Sequence, residues 1–112
     1  IMALGQAPDN RPWDVGIAAS RDQVVARLQL SDRAVATSRP NALMLNLVDS
    51  VGHILDPRNE EHLPIAQLVS VSAGSAAVAD GLSTAGCLLS KHDLEAAFDG
   101  YRRTKLEVYD VT

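Results

Sequence analysis

The chain has 112 residues, of which 46% are hydrophobic and 21% are charged, a balance typical of one folded domain and unlike that of disordered chains. Its formal net charge is -4 and its ten basic residues are scattered, which argues against a nucleic-acid partner, because binding a phosphate backbone requires a concentrated basic surface. No apolar stretch reaches the roughly 18 residues that a membrane-spanning helix requires, so we expect no membrane span.

The first half of the chain predicts strands. After a short apolar start and a turn-rich loop, apolar side chains recur at every second position in residues 13–18, 24–30 and 33–37. This period of two is typical of half-buried strands, and we expect the first two to be antiparallel neighbours. Residues 42–48 fit either a short strand or a helical turn, and residues 51–55 predict a short strand that ends at an Asp-Pro turn.

The second half predicts a strand, two helices and a closing strand. Residues 67–73 alternate apolar residues with serines that we expect to face outward. In residues 75–89 the apolar spacing changes to three or four, which is typical of a helix, and residues 91–98 predict a shorter helix that ends at a glycine. Residues 106–111 predict the closing strand. The predicted fold class is therefore α+β, an antiparallel sheet with helices packed on one side.

One segment of the first predicted helix carries three oxygen-bearing side chains. Asp80, Ser83 and Thr84 are three or four residues apart, so they share a helix face. A carboxylate and two hydroxyls are hard oxygen ligands, which suit Mg²⁺ bound to a nucleotide diphosphate. The same spacing fits an alternative in which Asp80 is only solvated and the two hydroxyls bond to carbonyl groups one turn earlier.

A histidine just before the Asp-Pro turn is the second candidate. His53 begins the sequence His-Ile-Leu-Asp-Pro, and because histidine titrates near neutral pH, it could remove a proton from an attacking hydroxyl. The alternative is an ordinary histidine at a sheet edge. Cys87 is the single cysteine, so no internal disulfide can form, and its place on the apolar side of a helix predicts a core residue.

Five segments of the sequence carry a further signal. They are WDVGI at 13–17, AVATS at 34–38, HILDPR at 53–58, VSV at 69–71 and ADGLSTA at 79–85. In this order they resemble the C-terminal part of the ApbE-type FAD:protein FMN transferases, and the resemblance extends over most of the chain. It implies that residues 1–112 form a single domain, or the C-terminal portion of a flavin transferase-like domain.

The resemblance implies a Mg²⁺-dependent reaction that splits FAD and attaches FMN to a threonine hydroxyl of a target flavoprotein. By position, Asp80, Ser83 and Thr84 would hold Mg²⁺ on the FAD diphosphate. His53 would be the general base and contact the flavin, and Ile54 would line the flavin nucleotide.

Members of this family also have a long N-terminal portion ahead of the matching part. We therefore expect a companion chain or self-association to supply the missing portion. Such proteins are commonly exported or lipid-anchored at the bacterial cell envelope. The chain differs from the family pattern at Arg39-Pro40, where a glycine usually follows the serine, and at the longer, more acidic loop 59–64. The alternatives to an enzyme are a non-catalytic binding or maturation module for a redox complex and a purely structural interaction domain.

Overall fold

The structure is a computed structural model that describes residues 1–42, 44–46, 51–59 and 61–111. The strands of these residues are β1 Met2–Ala3, β2 Trp13–Ser20, β3 Gln23–Leu30, β4 Arg33–Ser38, β5 Met44–Asn46, β6 Val51–Gly52, β7 Leu68–Ala73 and β8 Lys105–Asp110. The helices are α1 Ala76–Gly86 and α2 Lys91–Ala97, with short 3-10 turns at Pro40–Ala42 and Phe98–Gly100. Within the described part of the chain, no helix is long and apolar enough to span a membrane.

The centre of the fold is a four-stranded antiparallel sheet with the strand order β1-β4-β7-β8. Strands β2 and β3 form a separate antiparallel hairpin in which Trp13 lies opposite Leu30, so the predicted pairing of these two strands is confirmed. Strands β5 and β6 form a second small antiparallel pair. The α+β fold class is confirmed, with the strands distributed over three sheets among the described residues.

The two helices cover one face of the central sheet. Val69 and Val71 of β7 point toward them and share a core with Cys87 and Leu94. Every second residue of a strand faces the same side of a sheet, so the apolar positions of β7 meet the apolar stripe of the helices. The helices therefore pack on one side, as predicted.

The β2–β3 hairpin covers the opposite face. Val35 of β4 and Leu68 of β7 form a second core with Ile17 and Leu30 of the hairpin. Because β7 lies between two covering layers, all six of its residues are buried. The sheet is thus the middle layer of the molecule, and the helix face of β4 and β7 lies beneath α1.

The prediction that the serines of β7 face outward is wrong. Ser70 and Ser72 are fully buried on the hairpin side of the strand, and neighbouring polar groups satisfy them. Ser70 Oγ lies 2.9 Å from Thr37 Oγ1, and Ser72 Oγ donates to Glu107 Oε1 at 2.7 Å. Small hydroxyls tolerate burial when they are hydrogen-bonded, so alternating serines in a strand do not by themselves indicate a solvent-exposed face.

Helix α1 ends earlier than predicted, at Gly86 instead of residue 89. Its start is fixed by Ser75, whose side chain accepts a hydrogen bond from the backbone N–H of Val78. At its other end, the carbonyl of Cys87 accepts the backbone N–H groups of Ile65 (2.7 Å) and Ala66 (3.2 Å). From Cys87 to Leu89 the backbone N–H groups bond three residues back instead of four, so the α-helical pattern ends where this carbonyl anchors the loop that leads into β7.

The predicted strand at residues 51–55 is shorter in the structure. Strand β6 ends at Gly52, so residues 53–55 form no strand, although Ile54 is buried and its neighbours are exposed. The ambiguous segment 42–48 contains strand β5, while its residues 43, 47 and 48 lie outside the described part. Residue 60 of the polar loop also lies outside it.

Replacing Gly86 with alanine is expected to destabilise the fold by about 1–3 kcal/mol, because the new methyl group would overpack the core. A Cβ there would lie 2.8 Å from Leu94 Cδ2 and 3.0 Å from Val69 Cγ1. Gly81→Ala is the matched control within the same helix, since its Cβ would meet nothing within 4 Å and should add about 0.5–1 kcal/mol of stability. Urea unfolding of both variants measures the difference, and equal stabilities would contradict this packing.

Candidate functional site

An open cleft of about 650 Å³ lies between helix α1 and the loop that follows β6, within the range of about 300–1,000 Å³ typical of small-molecule sites. The residues that line it are His53, Ile54, Leu55, Pro57, Asp80, Gly81, Thr84, Ala85 and Leu88. Four of the five predicted site residues therefore line one cleft, and Ser83 is the exception.

The helix wall of the cleft is built by residues one turn apart. Asp80 and Thr84 are both exposed, and their spacing of four residues places them one turn apart on the same face of α1. Between them, Gly81 has no side chain, and a Cβ there would meet nothing within 4 Å. The cleft is thus open above the carboxylate and the hydroxyl.

Ser83 faces the sheet instead of the cleft. Its side chain is fully buried and its Oγ donates to the Asp80 carbonyl at 3.0 Å, which is the alternative that the spacing left open. Its Oγ also lies 2.8 Å from Ser38 Oγ at the end of β4. The ligand role of Ser83 stays a prediction, and it would require the hydroxyl to leave both partners.

Three hydroxyls and one carbonyl form a directed chain, which we name the hydroxyl relay: Thr84, Ser38, Ser83 and the backbone carbonyl of Asp80. Each hydroxyl has a single hydrogen. The carbonyl can only accept, so Ser83 uses its hydrogen there and must accept from Ser38. Ser38 then has no hydrogen left to donate to Thr84. In the contact of 3.2 Å between Ser38 Oγ and Thr84 Oγ1, Thr84 must therefore be the donor. The lone pairs of Thr84 Oγ1 are consequently free on the cleft side.

The loop wall of the cleft is held by Asp56, whose side chain is only 2% exposed. Its Oδ1 accepts the backbone N–H (2.9 Å) and Nε–H (3.0 Å) of Arg58, and its Oδ2 accepts the Arg58 Nη2–H at 2.8 Å. Nδ1 of His62 lies 3.4 Å from Oδ2. Hydrogen bonds from the Arg58 side chain, and next from its backbone, hold the pKa of Asp56 well below its usual range, so the carboxylate stays ionised at neutral pH.

The oxygen set of the cleft suits a hard cation that arrives with a phosphate ligand. Among the residues that the structure describes, no group of three or more His, Cys, Asp or Glu side chains could enclose a metal. Mg²⁺ is usually held by one or two carboxylates, with water and substrate phosphate completing its shell. The Asp80 carboxylate and the outward lone pairs of Thr84 present acceptors only, and they therefore fit such a partly substrate-held ion.

Cys87 has no part in this chemistry. Burial raises the pKa of its thiol to about 11, so the thiol is protonated at neutral pH and is not a nucleophile. Its side chain is fully buried in the core beneath α1, which confirms the prediction of a core residue.

Sequence reasoning missed Ser38 and Asp56 as parts of the site. Ser38 lies 45 positions before Ser83, and no local spacing connects them. Asp56 lies in the predicted Asp-Pro turn, where an aspartate often bonds the backbone two residues ahead. The arginine at that position was the available signal for the ion pair.

The comparisons with known proteins identify a family. The ApbE family model matches residues 1–109, which is nearly the whole chain, and a comparison with curated proteins gave no match. Members of the family act on FAD and on flavoprotein targets. Because this match extends over nearly all of its residues, the chain belongs to the ApbE family and is flavin transferase-like.

Proposed function

We propose that the protein is a Mg²⁺-dependent FAD:protein FMN transferase that attaches FMN to a threonine hydroxyl of a target flavoprotein. The observation that supports it is the shared cleft, whose lining includes the histidine His53, the carboxylate of Asp80 and the hydroxyl-bearing Thr84. These are a base and two hard ligands, the parts that a metal-assisted phosphoryl transfer needs. Family membership supports the flavin substrate.

The proposed reaction breaks the phosphoanhydride bond of the FAD diphosphate and forms a phosphoester bond to the threonine. The threonine oxygen of the target attacks the phosphorus of the FMN half, the bond from that phosphorus to the AMP oxygen breaks, and AMP leaves. His53 takes the proton of the attacking hydroxyl, and Ile54 packs against the flavin nucleotide. Asp80 and Thr84 would hold Mg²⁺, which when bound neutralises charge on the diphosphate.

The test is incubation of the protein with FAD, Mg²⁺ and a target flavoprotein that carries the acceptor threonine. We expect the target to gain the mass of one FMN group, and we expect EDTA or replacement of the acceptor threonine by valine to prevent the gain. The need for a companion chain or self-association stays a prediction, so the native mass of the protein is measured in the same buffer. FAD binding without transfer would favour the non-catalytic module, and absence of FAD binding would contradict both.

A further inference from the structure

Ser38 lies directly beneath the helix wall of the cleft without lining it. It is the last residue of β4, opposite Val69 of the central strand β7, and its side chain is enclosed between the sheet and α1. Its Oγ contacts the hydroxyls of both Ser83 (2.8 Å) and Thr84 (3.2 Å). Of these two hydroxyl-bearing residues, Thr84 is the one that lines the cleft, and through it Ser38 reaches a cleft ligand.

We propose that Ser38 is a positioning residue that turns the hydroxyl of Thr84 into an acceptor-only group facing the cleft; this inference rests on the proposed function. With Ser38 present, the single hydrogen of Thr84 is bound inward. Without it, that hydrogen is free to rotate toward the cleft, where it would oppose a cation, because a hydroxyl binds a metal through its lone pairs. The group that Ser38 orients is thus the neutral ligand beside the Asp80 carboxylate.

The direction of the hydroxyl relay depends equally on Ser83. Ser38 donates its single hydrogen to Ser83. For this reason Ser38 can only accept a hydrogen bond from Thr84. In a Ser83→Ala variant the hydrogen of Ser38 becomes free to point at Thr84, and the hydrogen of Thr84 is released toward the cleft. Removing either serine therefore has the same consequence for Thr84, although Ser83 does not touch it in the relay.

The affinity of the protein for Mn²⁺, a hard cation that replaces Mg²⁺ and is visible by electron paramagnetic resonance, is the first readout. We expect Ser38→Ala and Ser83→Ala each to weaken Mn²⁺ binding by about tenfold, the lower end of the range for residues that orient metal ligands. The double variant should bind Mn²⁺ about as tightly as each single variant, because either substitution alone already breaks the relay. Wild-type affinity in Ser38→Ala, or additive losses in the double variant, would overturn the proposal.

Ser70→Ala is the matched control. Ser70 is a buried serine whose hydroxyl bonds to another hydroxyl, that of Thr37, at 2.9 Å, but it lies on the hairpin face of the sheet. Its replacement should lower stability by a similar amount and leave Mn²⁺ affinity unchanged. An equal loss of affinity in Ser70→Ala would show that Ser38 acts only through the stability of the fold, and would overturn the positioning role.

The second readout separates this inference from the proposed function. In metal-free protein, the Thr84 hydroxyl proton should exchange slowly with water and be detectable by NMR in the wild type, and it should exchange rapidly in Ser38→Ala. If the wild type binds no Mn²⁺ and no FAD, the proposed function fails, while the hydroxyl exchange measurement still decides whether Ser38 holds the hydrogen of Thr84. Equal exchange rates in both proteins would overturn the inference alone.

Discussion

Asp80→Asn is expected to slow FMN transfer by at least about 100-fold, the loss typical of removing one group that stabilises transition-state charge. Asp80 is the only carboxylate among the described residues that line the cleft. Asparagine keeps the size and one oxygen but loses the negative charge that holds a divalent cation. The measurement is the single-turnover rate of FMN transfer at saturating FAD and Mg²⁺.

Asp99→Asn is the control for Asp80→Asn. Asp99 is an exposed acid in the 3-10 turn Phe98–Gly100, and it does not line the cleft. Its replacement changes the net charge by the same amount and should leave the transfer rate unchanged. If Asp80→Asn transferred FMN at the wild-type rate, the assignment of Asp80 as a metal ligand would be wrong.

Gly52→Ala is expected to lower both the free energy of unfolding and the affinity for FAD. A Cβ at Gly52 would overlap the carbonyl oxygen of Pro40 and lie 2.8 Å from its carbonyl carbon, and a buried backbone cannot yield as a flexible side chain does. Overpacking of this kind costs about 1–3 kcal/mol, occasionally more. Because His53 follows immediately, the displacement should also move the loop wall of the cleft. Urea unfolding and the quenching of FAD fluorescence measure the two effects.

Gly16→Ala provides the comparison for Gly52→Ala. Gly16 also lies in a strand, and a Cβ there would be 3.6 Å from Val24 Cγ1, an ordinary contact. It belongs to the hairpin, on the other side of the sheet from the cleft, so FAD affinity should stay the same. Equal behaviour of the two variants would mean that Gly52 does not lie against Pro40.

The strands and helices were largely predictable because their periodicities differ. Alternation identified β2, β3 and β4, and the change of spacing identified α1. Alternation does not say what covers each face, and for this reason Ser70 and Ser72 were wrongly placed outside: a small hydroxyl is compatible with solvent and with a hydrogen-bonded interior. The end of α1 coincides with a tertiary contact, in which Ile65 and Ala66 donate to the Cys87 carbonyl, and no local pattern predicts that contact.

The candidate site divides in the same way. Asp80 and Thr84 could be paired from sequence because they share a helix face. His53 was a candidate because it precedes the Asp-Pro turn, and the resemblance to the family added Ile54. The orientation of Ser83 could not be predicted. It follows Asp80 by three residues and directly precedes Thr84, so it lies near the boundary of that face. The contact of Ser38 with both hydroxyls requires strand β4 to lie beneath α1, a fact of the fold that no local pattern contains.

The single thiol of the chain lies directly below the hydroxyl relay. Sγ of Cys87 lies 3.5 Å from the Ser83 carbonyl oxygen and 3.8 Å from that of Ser38, so it lies between α1 and the last residue of β4. A thiol reagent can reach this fully buried sulfur only when the core around it opens. Because the thiol is protonated at neutral pH, the slow alkylation of the native protein reports the population of such open states, and the protein contains its own probe for that motion.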